Sequence, residues 1–469
     1  MDFATGATVS PIATYGCWVC GARNHSDRDY FLRAFGGPNH FAATCEAVTD
    51  ALGFCSRHGT FLATQAHLSL EVTKVFREVI LRILPLLAED QFQQERFQQI
   101  FFSATESCPA CWFEKRRVAR RAGQVSRLLG SGLPANESPH WSHLCIVHTL
   151  VATRELKPEA RRAALVHYAA TLDAGAILLD EQLHNAVSAD VASMGSRCAC
   201  LEHAFKLVAG EQWLRTSTSK NAEGATTEPE PDADLTHTLE HPDICPLCNE
   251  HCWARRRWIR AVRLAAKYRE EEWLLFPTCP AHIRVIAELG DRGITEAVIQ
   301  HALDVARQVL RHEIQTIEGA ATAFLEARRK RRPRKQWSAK PAQTRRIRAE
   351  SMRCPGCERL AIAQDRSIGA LLNLLREKRH RDALARGHGL CMKHFALAYV
   401  MAPRAVRAML AEVQRHKLIA LEVELGQWLN VAATTRDTDS MAYPDGPWRS
   451  ALRRFCGSSP DDFISTPYS

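Results

Sequence analysis

The sequence predicts an all-α protein made of zinc-pinned helical hairpin units joined by long helices in two halves, and three observations carry that prediction. Apolar residues recur at helical spacing, β-branched runs bounded by hairpin turns are scarce, and one cysteine–histidine pattern occurs four times. The clearest helix face is Val72, Val75, Phe76, Val79, Ile80, Ile83, Leu84 and Leu87, on the i, i+3, i+4, i+7 template. Val298, Ala302, Val305 and Val309 repeat it.

A chain of 469 residues exceeds what one hydrophobic core usually serves, so two or more domains are expected and disulfide staples are unnecessary. The start, MDFATGATVSPIATYGC, has no basic stretch followed by an apolar one, so no secretory signal is expected. The most apolar stretch, Val79 to Ala88, is broken by Arg82 and Pro85 and is far shorter than the ~20 residues of a membrane span. These features predict a cytoplasmic chain with no membrane span, where thiols stay reduced and clustered cysteines bind metal.

The net charge is +9, yet residues 327–349 hold eleven Lys/Arg and no Asp/Glu, leaving 50 basic against 52 acidic residues elsewhere. One segment carries the whole excess. Residues 216–243 are polar, acidic and poor in large apolar groups, so they read as a flexible linker. The expected layout is an N-terminal helical half (1–215) with two zinc units, then the acidic linker (216–243). There follow a third unit with a long helix (244–326), a basic linker (327–349), a fourth unit (350–430) and a loosely packed tail (431–469).

Each copy of the motif is Cys-x-x-Cys followed by Cys-x-x-His. The copies are Cys17, Cys20, Cys55, His58; Cys108, Cys111, Cys145, His148; Cys245, Cys248, Cys279, His282; and Cys354, Cys357, Cys391, His394. Between second and third ligands lie 34, 33, 30 and 33 residues, a nearly constant interval. Random placement of these cysteines and histidines would give only ~0.6 Cys-x-x-Cys and ~0.7 Cys-x-x-His pairs. Three thiolates and an imidazole complete a tetrahedral shell around zinc, and that closed shell leaves no position for substrate. Four zinc ions and no catalysis are therefore expected. Iron–sulfur ligation, redox pairs and unmetallated thiols are the alternatives. Covalent haem is excluded because Gly, Trp, Asn and Glu follow the four Cys-x-x-Cys pairs.

Amphipathic runs such as CMKHFALAYV and CNEHCWARRRWIRAVRL place the ligand pairs at helix starts, where the dipole favours thiolate. The interval then fits a helix out and a shorter helix back, so each copy is expected to be a hairpin pinned at its base by its own zinc. Trp18, Trp112 and Trp253, each beside a cysteine, are expected to wall the metal from water.

CPAC at 108–111, CPLC at 245–248, CPGC at 354–357, GFCSRH at 53–58 and GLCMKH at 389–394 carry a resemblance. The chain resembles an uncharacterised bacterial family of helical proteins with repeated Cys-Pro-x-Cys and Gly-Phe/Leu-Cys-x-x-His motifs. The resemblance covers the four units and implies zinc in a helical scaffold, with no activity attached. Cys17-Trp-Val-Cys20 lacks the proline, and the acidic and basic linkers depart from the pattern.

Cys198, Cys200 and His203 look like the second half of a decayed fifth unit, with a regulatory thiol pair as the alternative. Cys45, Cys252 and Cys456 read as packed or surface residues. The basic segment holds Arg328, Arg329, Lys330, Arg331, Arg332, Arg334, Lys335, Lys340, Arg345, Arg346 and Arg348 for phosphates, and Trp337 to stack on a base. Nucleic acid is slightly favoured as partner. A solvated connector, an acidic protein surface and membrane lipid are the other readings. Arg116, Arg117, Arg120, Arg121 and Arg255 to Arg257 add basic faces that ordinarily are just solvated helix surface.

No metalloprotease helix, phosphate-binding glycine loop or nucleophile elbow is present, and His380-Arg381-Asp382 mimics a kinase loop without its companions. The expectation is a non-enzymatic zinc scaffold for a macromolecule, with no small-molecule substrate identified. A redox or metal sensor that releases zinc on oxidation and a protein–protein adaptor are the alternatives.

Overall fold

The computed structural model describes residues 17–87, 100, 108–130, 144–154, 156–184, 235–268, 282, 286, 292–329, 354–434 and 446–457. Among them regular structure is entirely helical, as predicted. Fourteen helices matter below: α1 (Trp18–Phe35), α2 (Pro38–Asp50), α3 (Ser56–Ala63), α4 (Ser69–Ile83), α5 (Pro109–Gly130), α6 (Ile146–Thr153), α7 (Pro158–His184), α8 (Pro246–Tyr268), α9 (Arg292–Arg329), α10 (Pro355–Leu374), α11 (Lys378–Arg386), α12 (Met392–Met401), α13 (Arg404–Thr434) and α14 (Pro447–Cys456). No helix among the described residues is long and apolar enough to cross a membrane.

Compactness does not follow the two halves of the sequence. One unit comprises Met1–Asn24, Val118–Gly224 and Val262–Pro355, the other His25–Arg117, Ala225–Ala261 and Gly356–Ser469. Each therefore takes segments from both sides of the predicted acidic linker.

In the first unit α7 packs along α9. Arg161 and Arg162 pair with Glu313 and Glu318, whereas Asp173, about three turns further along α7, pairs with Arg307, earlier on α9. The two run antiparallel. The stripe that α9 buries most deeply is Ile299, Leu303, Ala306 and Leu310, one residue beyond the predicted Val298, Ala302, Val305 and Val309. Both stripes follow the same period, and the larger Ile and Leu side chains turn the inward face toward themselves.

In the second unit α4 is central and packs against α2, α13 and α14. Its predicted face holds: Val72, Val75, Phe76, Val79, Ile80 and Ile83 are all buried, and Pro85 ends the helix in a short 3₁₀ turn at Leu84–Leu87. Opposite it, α13 offers Leu410, Gln414, Leu418, Leu421 and Leu425, again at helical spacing, and Arg77 of α4 pairs with Glu422 of α13.

The predicted loose tail is wrong over residues 447–456, which form α14. Gly446 and Pro447 start that helix, and Trp448, Ala451, Leu452 and Phe455 line its i, i+3, i+4, i+7 face in the core. Asp, Pro and Gly upstream thus mark a helix start, and the aromatic pair carries the burial. Phe455 lies 5.1 Å from the ring of Phe76. The predicted linker likewise ends early, because Leu235 and Leu239 are buried and the amide of His388 donates to the carbonyl of His241.

The approach of α14 also explains a glycine. Gly53 closes α2 by donating its amide to Val48 across a six-residue turn with Leu52 at φ 48°, then takes φ 102° itself. A Cβ at Gly53 would lie 2.8 Å from Phe455 Cβ, so only glycine fits.

Candidate metal centres

The ligand pairs occupy one stereotyped position. Cys55, Cys145 and Cys391 are the N-cap residues of α3, α6 and α12, with extended backbones. Their carbonyls accept the first helical bonds, from Gly59, Thr149 and Phe395. The histidine therefore falls at the third helical position. Cys108, Cys245 and Cys354 stand just before the Pro that opens α5, α8 and α10, and proline is suited to a first helical position because it has no N–H to satisfy. The -x-x- spacing is thus N-cap to N3, one turn apart on the same side of a helix.

The grouping differs from the prediction. Each predicted unit joined a Cys-x-x-Cys to the Cys-x-x-His that follows it, and none of the four groups is built that way. The groups are Cys17, Cys20, Cys145, His148; Cys55, His58, Cys108, Cys111; Cys245, Cys248, Cys391, His394; and His282, Cys354, Cys357. In each half of the sequence the outer two pairs meet and the inner two pairs meet. The pairing is nested, so a metal bridges two helix starts distant in sequence. Cys279, Cys198, Cys200 and His203 lie outside the described residues, as do residues 330–349 of the basic segment. Arg328 and Arg329 fall in the last turn of α9.

Distances within the groups are those of a tetrahedron. In the first, the sulfurs of Cys17, Cys20 and Cys145 stand 3.3, 3.3 and 3.2 Å from His148 Nδ1, and Cys20 and Cys145 are 3.8 Å apart. In the second, Cys55, Cys108 and Cys111 stand 3.1, 3.3 and 3.4 Å from His58 Nδ1, with 3.6 Å between Cys55 and Cys111. In the third, Cys245, Cys248 and Cys391 stand 3.5, 3.3 and 3.3 Å from His394 Nδ1, with 3.7 Å between Cys248 and Cys391. Zinc bonds of about 2.3 Å to sulfur and about 2.0 Å to nitrogen set tetrahedral edges of about 3.5 Å (S···N) and about 3.8 Å (S···S). A disulfide would need about 2.05 Å. In the fourth group Cys354 is 3.3 Å from His282 Nδ1, and Cys357, one turn further on, is exposed.

Within the first two groups the sulfurs divide the charge, one thiol falling while a partner rises: Cys145 is raised by its bonds to Cys17 and Cys20, and Cys111 by its bonds to Cys108 and Cys55. Hydrogen bonds from Cys145 and Cys20 hold the Cys17 thiol well below its ordinary range, and Cys108 and Cys111 do the same for Cys55. Burial opposes a charged His58, but Asp27 and the sulfurs of Cys111 and Cys55 outweigh it and push the imidazole up to about 10. His58 Nε2 is 2.9 Å from Asp27 Oδ1 on α1, the carboxylate–histidine pairing that orients a metal-binding imidazole. Arg57 bonds Glu114 and lies near Asp27, closing a ring of charges around the second group.

Beside the third group, Arg454 of α14 is buried and donates to the carbonyls of His388 and Leu390. Burial brings its guanidinium down to about 10, with the sulfurs of Cys245 and Cys391 resisting that fall. Gly457, at φ 77°, ends α14 so close to the same group that a Cβ there would lie 3.1 Å from Cys248 Sγ. None of Asp27, Glu114, Arg57, Arg454 and Gly457 was singled out from sequence. Arg57 lies inside a ligand pair and was open to notice, whereas Asp27 and Arg454 come from distant segments with no local pattern.

The tryptophan expectation fails at Trp112, which is 57 % exposed. As the residue after the N3 ligand it is turned about 100° round the helix from Cys111, toward water. Trp253 is half-buried. Cys45, Cys252 and Cys456 are buried, as packed residues should be.

Among the described residues, fold and sites together define an all-helical protein with four Cys/His groups that could each hold a metal ion. No protein-family description, curated protein or solved structure matches the chain.

Proposed function

We propose that this chain is a non-enzymatic, zinc-stabilised scaffold of the cytoplasm that holds a macromolecule, nucleic acid slightly ahead of protein. The observation that carries the zinc is the tetrahedral spacing of three thiolates and one Nδ1 at paired helix starts, a closed shell that leaves no position for a reacting water. The choice of nucleic acid is supported by the charge distribution, with eleven basic residues and no acidic one in residues 327–349. The test is binding of the purified chain to labelled oligonucleotides across salt concentrations. Affinity should fall steeply with salt, and replacing the eleven basic residues by Ser/Gln should flatten that slope. An affinity that is indifferent to both rejects nucleic acid as partner.

A sensor reading is favoured by one observation, the exposure of Cys357 in the fourth group. Peroxide would oxidise its thiolate to a sulfenic acid, releasing hydroxide. Cys354 would then displace hydroxide to form a disulfide and free the metal. One zinc released per chain at mild peroxide supports the sensor, and full retention excludes it.

A further inference from the structure

Two helices that begin at a ligand pair carry the same surface pattern. On α5, Trp112 is followed at three and four residues by Lys115 and Arg116, all exposed. On α8, the half-buried Trp253 is followed at the same spacing by half-buried Arg256 and exposed Arg257, with exposed Arg260 at seven. Arg116 lies over the Trp112 ring at 4.6 Å and Arg256 over Trp253 at 5.0 Å. A ring stacked by a guanidinium on one face keeps its other face for a second planar group. Acidic neighbours are turned inward: Glu114 is buried on Arg57, and Glu250 is half-buried with its carboxyl raised by desolvation.

We propose that these two faces, Trp112 with Lys115 and Arg116 and Trp253 with Arg256 and Arg257, are stacking sites for unpaired bases of single-stranded nucleic acid. The proposal rests on the nucleic-acid reading above and names a contact surface separate from residues 327–349. An indole next to paired cations matches a ligand that offers a flat base and a phosphate at each step. An acidic protein side chain would satisfy the cations and leave the indole wet. A duplex keeps its bases stacked inside, so it reaches only the cations. Each tryptophan sits directly after a cysteine on the first turns of a helix whose start is fixed at a ligand pair, so its position is set before any ligand arrives.

The experiment measures fluorescence anisotropy of a labelled oligo(dT) and of a labelled hairpin duplex with the full, zinc-loaded chain. The parent is compared with Trp112→Ala/Trp253→Ala, with Trp112→Phe/Trp253→Phe and with the basic-segment variant. Removing the indoles should weaken single-strand binding by about tenfold for each tryptophan, with the salt slope unchanged and duplex binding unaffected. Phenylalanine should restore most of the loss. A parent that binds while the alanine double variant binds equally well overturns this proposal and leaves the nucleic-acid reading standing. A parent that binds neither probe overturns both. Unchanged zinc content and helicity of the alanine double variant, and of Trp112→Ala alone, whose ring is 57 % exposed, confirm that lost affinity is lost contact.

Discussion

Nested and local pairing of the ligands differ in a number that can be counted. Cys55 and Cys108 belong to one group in the structure and to two separate units under local pairing. Cys55→Ser combined with Cys108→Ser should therefore cost the chain one metal ion, leaving three of the four groups filled. Cys20→Ser combined with Cys55→Ser removes ligands from two groups and should cost two ions. Local pairing gives the reverse, two lost in the first variant and one in the second. The stability scale sharpens the contrast. A structural zinc contributes on the order of 10–16 kcal/mol in small domains, comparable with the ~5–15 kcal/mol of a whole fold. Once Cys55 is gone and its ion lost, Cys108 has little left to stabilise, so the two substitutions should be strongly non-additive in thermal midpoint. Zinc per chain by plasma mass spectrometry, with calorimetry on the same samples, reads both effects. Two ions remaining after Cys55→Ser/Cys108→Ser, together with three after Cys20→Ser/Cys55→Ser, would refute the nested arrangement.

Asp27→Asn removes the carboxylate that faces His58 Nε2 and should weaken the second group's metal affinity by about 10- to 100-fold in chelator competition, with the other groups unaffected. Gly53→Ala forces a Cβ against Phe455 at a positive φ and should lower stability by at least ~1 kcal/mol in denaturant titration. Trp448→Ala empties a completely buried site on α14 and should cost about 3–5 kcal/mol. His388 is held down to about 3 by burial and by Arg454, so below its unfolded value the unfolded chain binds a proton that the folded chain refuses. Its share of stability is thus full above pH 6.5 and lost as pH falls toward 3. Between pH 7.5 and 6 the parent should lose about 1 kcal/mol that His388→Gln keeps.

Helical class and ligand identity were legible from sequence because both are local. The period of Val72 to Ile83 and the two-residue gap of each ligand pair are set within a turn or two of chain. Partnership between pairs is not local, and the nearly constant interval of about 33 residues misled by suggesting a loop closed on itself. Those residues build α1 and α2 in the first case, and Phe31, Phe35 and Val48 on these helices, with Leu52 in the turn after α2, pack around Phe54 and Phe76. Burying that aromatic cluster carries Cys55 to the start of α5 instead of back to Cys17. The tail was misread for a related reason: composition over residues 431–469 averages a polar stretch with Trp448 and Phe455, and those two large side chains outweigh it.

Charge explains why ligand pairs stand at helix starts and why two such starts meet at each of the first three groups. A zinc ion with three thiolates and a neutral imidazole carries a net charge of about −1, which is costly to bury alone. One helix N-terminus offers roughly half a positive charge, so two of them cancel the group to a first approximation. Nested pairing brings two starts together as surely as local pairing would, and it leaves the chain between them free to build core. At the third group the cancellation is supplemented by the buried Arg454. The fourth group has Cys357 open to water and depends less on such compensation. By the same reasoning its metal should exchange first when a chelator is added.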